Sequence, residues 1–131
     1  MIRAELHRLI PSDTHVKDLK HFAPSDPGCF SVLVYAAVGI AGEVGDDFFV
    51  FQVCSPRALA DDVARCGYFL PRGYLLLETY DYHMLWNAIA NLCAEIRAPD
   101  WATFREHFGK YGIWESDNTT TPLTCTERGE E

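Results

Sequence analysis

The segment that most constrains the fold of this chain is FFVFQVCSPRAL, residues 48–59. Its first seven residues are apolar apart from Gln52, a pattern typical of a buried strand. Ser55 and Pro56 follow at once, and this pair is typical of a helix N-cap and the first helical residue. The segment therefore predicts a buried strand that passes directly into a capped helix, within layers that cover the strand.

Three other segments have the patterns of strands. Apolar and polar residues alternate from Ile2 to Leu6, ahead of Pro11, which indicates a strand with one face in water. Residues 30–40 are almost continuously apolar, as expected of a strand that is covered on both faces for part of its length. Residues 74–78 are the fourth predicted strand.

The turn between residues 30–40 and 48–54 predicts a hairpin. Gly39, Gly42 and Gly45 supply the conformational freedom that a tight turn needs. Carboxylates are concentrated in the same turn, so we expect an acidic hairpin tip. They are Glu43, Asp46 and Asp47.

Two more helices follow the first, which Gly67 is placed to end. Asp81 is placed to cap a helix whose apolar stripe continues to Ile96. Asp100 is placed to cap a third helix, in which aromatic residues recur at helical spacing over residues 101–111.

This order of elements predicts an α+β fold: a small, mostly antiparallel four-stranded sheet with about three helices packed on one face, in two layers. The long loop from Pro11 to Cys29 either holds a short helical turn or covers part of the core. We expect residues 1–115 to form a single domain and residues 116–131 to form a flexible, polar C-terminal tail.

The charge of the chain disfavours direct binding of nucleic acid. Nineteen Asp and Glu residues against eleven Lys and Arg residues give a formal net charge of -8, and a surface of that sign repels phosphate.

The five cysteines are an odd number without a C-x-x-C pair, which favours reduced thiols and a cytoplasmic location. The longest apolar run, residues 30–40, is too short to cross a membrane.

The sequence contains no catalytic constellation. Cys54 is the strongest candidate nucleophile, because it lies at the start of a helix, where the pKa of a thiol can be lowered. A cysteine in such an apolar run is, however, more often a packed core residue. The five histidines have no spacing that would preform a pair of metal ligands. The residues alone therefore predict no catalytic residues and no metal site.

Four segments together resemble the immunity protein 8 family of bacterial polymorphic toxin systems. They are LKHFAPSDPGCF (residues 19–30), FFVFQVCSPRAL (residues 48–59), YLLLETYDYHML (residues 74–85) and WATFREHFGKYGIWE (residues 101–115). The resemblance rests on the order and spacing of these segments. The family's landmark residues correspond here to Pro24, Phe30, Cys54, Ser55, Pro56, Leu59, Tyr80, Asp81, Gly112 and Trp114.

The resemblance implies a small cytoplasmic bacterial protein that binds a cognate toxin and neutralises it, without enzymatic activity or cofactor. A toxin that cuts nucleic acid must be basic to hold its substrate, so the acidic charge of this chain would suit such a partner. We expect carboxylates and one aromatic anchor to form the toxin-binding surface. The predicted toxin-binding residues are Glu43, Asp46, Asp47, Asp61, Asp62, Asp81 and Trp114.

Two other functions stay open at this point. One is a small-molecule-binding or enzymatic domain whose site is assembled from distant residues, such as Cys54, His83 and Asp81. The other is a structural adaptor that forms a homodimer through the edge of its sheet. The sequence is compatible with either a monomer or a homodimer.

Overall fold

A computed structural model describes residues 1–13 and 15–116, which form an α+β fold. That part of the chain holds a five-stranded, mostly antiparallel sheet and three helices. The strands are β1 (Ala4–Pro11), β2 (Ser31–Ile40), β3 (Asp47–Cys54), β4 (Tyr74–Leu76) and β5 (Ile113–Trp114), and the helices are α1 (Pro56–Cys66), α2 (Tyr82–Glu95) and α3 (Trp101–Phe108).

The central strand is β3, which has neighbours along both of its edges. One edge pairs with β2, which pairs in turn with β1, and both pairings are antiparallel. The other edge is shared by two short strands. Gln52 to Cys54 pair with β4 in parallel, and Phe49 and Val50 pair with β5 in antiparallel.

The strand-to-helix transition predicted from FFVFQVCSPRAL is confirmed. Cys54 ends β3, and the hydroxyl oxygen of Ser55 accepts a hydrogen bond from the backbone N–H of Ala58 at 3.3 Å. Pro56 is the first residue of α1, and Gly67 ends the helix with a left-handed φ of 85°. Two carboxylates cap the other helices as predicted: Asp81 accepts from the N–H of Met84, and Asp100 from that of Thr103.

The core lies between one face of the sheet and the helices α2 and α3. Phe49, Phe51 and Val53 alternate along β3 and are all almost completely buried on this face. The two helices add apolar side chains to the same cluster, whereas α1 has no buried residue and lies outside it. The helical members of the core are Leu85, Ile89, Cys93, Phe104 and Phe108.

The long loop between β1 and β2 covers part of the core, one of the two arrangements that the sequence allowed. Leu19 is buried, and the hydroxyl of Tyr80 donates a hydrogen bond to its carbonyl oxygen. The backbone N–H of Tyr80 also donates to the carbonyl of Pro27 at 3.0 Å. The loop is therefore fastened to the connection between β4 and α2.

The number of strands in the sheet differs from the sequence-based expectation. The expected sheet had four strands, and β5 is an additional strand of only two residues. The pairing of β3 with β4 is parallel and the other three pairings are antiparallel, so the expectation of a mostly antiparallel sheet is confirmed.

Three of the cysteines, Cys29, Cys54 and Cys93, are free thiols. The predicted polar tail lies almost wholly outside the described residues. In the described part of the chain, no helix is long and apolar enough to cross a membrane.

Candidate protein-binding surface

The turn between β2 and β3, residues 41–46, projects from the sheet and is called the hairpin tip below. Gly42 and Gly45 adopt positive φ angles of 80° and 102°, which side-chain-bearing residues rarely adopt. Between them, Glu43 is exposed and the side chain of Val44 is fully exposed. The tip therefore presents an apolar residue and a carboxylate to solvent.

Two of the predicted binding carboxylates brace the hairpin tip against the rest of the fold. The indole Nε1 of Trp101 donates a 2.6 Å hydrogen bond to Oδ2 of Asp47. Asp46, whose side chain is only 17% exposed, lies 3.3 Å from a guanidinium nitrogen of Arg8 and 3.4 Å from Nδ1 of His7. These contacts limit the motion of the tip, because they connect it to α3 and to β1.

A shallow pocket opens beside the hairpin tip. Its volume is about 250 Å³, and Trp101 forms one wall. Gly39 of β2 also lines it, and a Cβ atom at this position would lie 2.4 Å from the carbonyl oxygen of Gly45. The backbone of β2 and that of the tip thus approach so closely that a larger residue does not fit between them.

The carboxylates of α1 lie far from the hairpin tip. Asp62 accepts a 2.6 Å hydrogen bond from Arg65, and Asp61 is exposed. The charge of Asp62 also acts on Cys54, at the end of β3 opposite to Asp47. Seven residue steps separate these two ends of the strand, a distance of roughly 23 Å. The acidic residues therefore form separate groups rather than one surface.

Asp81 and Trp114, the remaining predicted toxin-binding residues, lie neither at the hairpin tip nor on α1. Asp81 caps α2, and its Oδ1 accepts a 3.1 Å hydrogen bond from the N–H of Met84. Trp114 belongs to β5, and its ring lies 4.1 Å beneath the guanidinium carbon of Arg105. The predicted aromatic anchor is thus next to a cation and not among the carboxylates.

Cys54 has the environment of a packed core residue. Its side chain is buried, and this burial, with a smaller effect from Asp62, raises the pKa of the thiol to about 11. The group is therefore protonated and poorly nucleophilic near neutral pH. Within residues 1–13 and 15–116, no hydrogen bond or ion pair joins Cys54, His83 and Asp81, and no cluster of side chains could hold a metal ion.

Sequence reasoning missed two residues of the hairpin tip region. Val44 carries a signal that could have been used, because an apolar residue between Gly42 and Gly45 in a predicted turn is expected to face solvent. Trp101 carries no such signal. Its hydrogen bond joins residues 54 positions apart, and only the packing of α3 on the sheet brings it to Asp47.

Comparison with models of known protein families identifies the family of this chain. A sequence profile of the family described as Immunity protein 8 matches residues 6–118, which is most of the chain. The chain belongs to the immunity protein 8 family. No curated protein and no solved structure matches it.

Several landmarks of the immunity protein 8 resemblance have structural roles in this member. Ser55 is completely buried, and its hydroxyl oxygen accepts hydrogen bonds from the N–H groups of Ala58 and Phe30. At Gly112, a Cβ atom would lie 2.4 Å from the ring of Phe51. These landmarks therefore hold strands, helix and core together.

Proposed function

We propose that this chain is the immunity partner of a bacterial toxin, which it binds and neutralises by direct protein–protein contact. The observation that carries the proposal is the match of the immunity protein 8 family over residues 6–118. The family name implies a toxin as the partner. On this proposal the protein acts in the cytoplasm of a bacterium, requires no cofactor and performs no chemistry itself, and residues 1–115 form its binding domain.

The hairpin tip is the surface that we propose for toxin contact. Val44 is fully exposed, and a solvent-exposed apolar side chain gains free energy when a partner covers it. Asp46 and Asp47 brace the tip through Arg8 and Trp101. A braced loop loses little conformational entropy on binding, so less of the interaction energy is spent on ordering it.

Electrostatics support a basic partner for the hairpin tip. Glu43 is exposed at the tip, and Asp47 follows the tip directly, whereas the charge of Asp46 is paired with Arg8. The whole chain has a formal net charge of -8. Charges of opposite sign steer two proteins together and raise the rate of encounter. Asp61, exposed on α1, is a separate and secondary candidate for contact with a large partner.

Co-expression is the direct test of this function. The toxin domain encoded beside this protein is expressed in a bacterial host, alone and with the full chain. We expect growth to be arrested by the toxin and restored by this protein. Continued arrest, with both proteins present in soluble form, would contradict the proposed function.

Variants of the hairpin tip test the proposed surface within the same assay. Replacement of Glu43 by Lys together with Val44 by Ser should weaken toxin binding by about tenfold or more. The matched control is Glu95→Lys, which makes the same charge change at an exposed position near the end of α2. Equal affinities for the tip variant and the control would show that the tip is not the contact. Asp61→Lys reports separately on α1.

A further inference from the structure

A basic pocket lies close to the hairpin tip of this otherwise acidic protein. Arg72 from the loop before β4, Arg105 from α3 and Lys110 from the residues after α3 surround Trp114. These four residues define what is called the cationic pocket below, whose volume is about 550 Å³. Glu106 is the acidic residue in its wall.

Neutral groups, rather than carboxylates, hold the two guanidinium groups of the cationic pocket. Arg72 donates to the carbonyl oxygen of Gly109 from Nε at 3.3 Å and from a terminal nitrogen at 2.9 Å. Arg105 lies over the ring of Trp114, with its guanidinium carbon 4.1 Å from the ring centre. Each guanidinium is therefore positioned without an ion pair to a carboxylate of residues 1–13 or 15–116, and each has further N–H donors.

The basic residues of this pocket are not paired with carboxylates of the described part of the chain, a property that they share with Arg3 and Arg97. Among the described residues, no carboxylate oxygen lies within 4.0 Å of a nitrogen of Arg72, Arg105 or Lys110. Three other arginines do pair with aspartates. They are Arg8 with Asp46, Arg57 with Asp26 and Arg65 with Asp62.

We propose that the cationic pocket binds a carboxylate side chain of the toxin, and this inference rests on the proposed function. A planar guanidinium presents parallel N–H donors that match the two oxygens of a carboxylate. A single acidic side chain fits this arrangement better than a nucleic acid, because the net charge of -8 repels an extended polyanion.

The proposed toxin interface contains an acidic site, the hairpin tip, and a basic site, the cationic pocket. Trp101, which is bonded to Asp47, and Arg105 are separated by one turn of α3, so they lie on the same face of the helix. Their separation along the helix axis is roughly 6 Å. A toxin that contacts both sites must present a basic group to the hairpin tip and an acidic group to the cationic pocket. This pairing fixes the orientation of the complex.

Affinity measurements on the full chain test the pocket. Lys110→Glu should weaken binding of the toxin domain by about tenfold or more, because a repulsive charge then faces the bound carboxylate. The matched control is Arg97→Glu, which makes the same charge change at an exposed residue beside Ile2 and Cys93, on the β1 side of the fold. We expect the control to stay within about twofold of the wild type. Equal effects of the two substitutions would overturn the proposal.

Two further measurements separate the alternatives. A toxin carboxylate replaced by Lys should restore binding to the Lys110→Glu variant, and failure of every such replacement would overturn the proposal. The third measurement is the binding of a labelled single-stranded RNA to the wild type and to Lys110→Glu. If the wild type bound the RNA and the variant did not, the pocket would be a phosphate site, and the proposal would be overturned. If the wild type does not bind the toxin, both the proposed function and this inference fail. If it binds and Lys110→Glu has no effect, only the inference fails.

Discussion

The indole nitrogen of Trp101 donates a 2.6 Å hydrogen bond to the carboxylate of Asp47, which fastens the first residue of α3 to the first residue of β3. Asp47 directly follows the hairpin tip. The bond therefore sets the position of the tip relative to the helix that carries Arg105. The two charged sites of the proposed interface are connected through this contact.

Loss of this hydrogen bond should destabilise the protein. Trp101→Phe removes the donor and should lower the free energy of unfolding by about 1.5–3 kcal/mol, the usual range for a hydrogen bond to a charged group. Asp47→Asn is the matched control, because its amide oxygen can still accept from the indole while the charge is removed. Urea unfolding measures both. If Asp47→Asn cost as much as Trp101→Phe, the bond would not be the stabilising feature.

Gly112 should tolerate no larger residue. A Cβ atom there would lie 2.4 Å from the ring of Phe51, so Gly112→Ala must displace a buried aromatic side chain. Overpacking of this kind costs about 1–3 kcal/mol. Gly28→Ala is the control, since its closest neighbour would be the exposed end of the Arg57 side chain at 3.0 Å, which can shift into solvent. Thermal unfolding should show a lower midpoint for Gly112→Ala alone, and equal midpoints would contradict the packing argument.

Local sequence patterns predicted most of the elements but not all of the pairing. The caps Ser55, Asp81 and Asp100 were predictable because each cap acts within a few residues of its own helix. The strand β5 was not predictable, since two residues carry no periodicity and its pairing with β3 depends on contacts across the fold.

The candidate site was predictable only in its hairpin tip. Glycines and carboxylates adjacent in sequence identified that turn, because its residues are also adjacent in space. The same reasoning grouped Asp61 and Asp62 with the tip, although β3 separates them. It also overlooked the cationic pocket, whose members Arg72 and Arg105 are distant in the chain and converge only through tertiary packing.

The buried cap of α1 should be more important for stability than the exposed cap of α2. Ser55 is completely buried and its hydroxyl accepts from two backbone N–H groups, whereas Asp81 is exposed. Ser55→Ala should cost about 2–3 kcal/mol, because it leaves a buried N–H of Phe30 without this partner, and Asp81→Ala about 1 kcal/mol. Chemical denaturation of both variants tests the order. A larger loss for Asp81→Ala would contradict it.

Asp100 should contribute to the acid sensitivity of the protein. Its hydrogen bond from the backbone N–H of Thr103 lowers the pKa of the carboxyl below the usual 3.8. The stabilisation is therefore present above the unfolded-state pKa and is lost as the pH falls through the folded-state pKa. Asp100→Asn removes this titration, so the stability difference between wild type and variant should change in that acidic range. A difference that is constant with pH would contradict the prediction.

The central claim is that this chain neutralises a toxin by binding it. The most direct measurement is the activity of the neighbouring toxin domain, titrated with the purified full chain. We predict that the activity falls with each addition of protein and disappears once every toxin molecule is bound, with Glu95→Lys acting like the wild type. Toxin activity that is unchanged in the presence of excess folded protein would contradict the account.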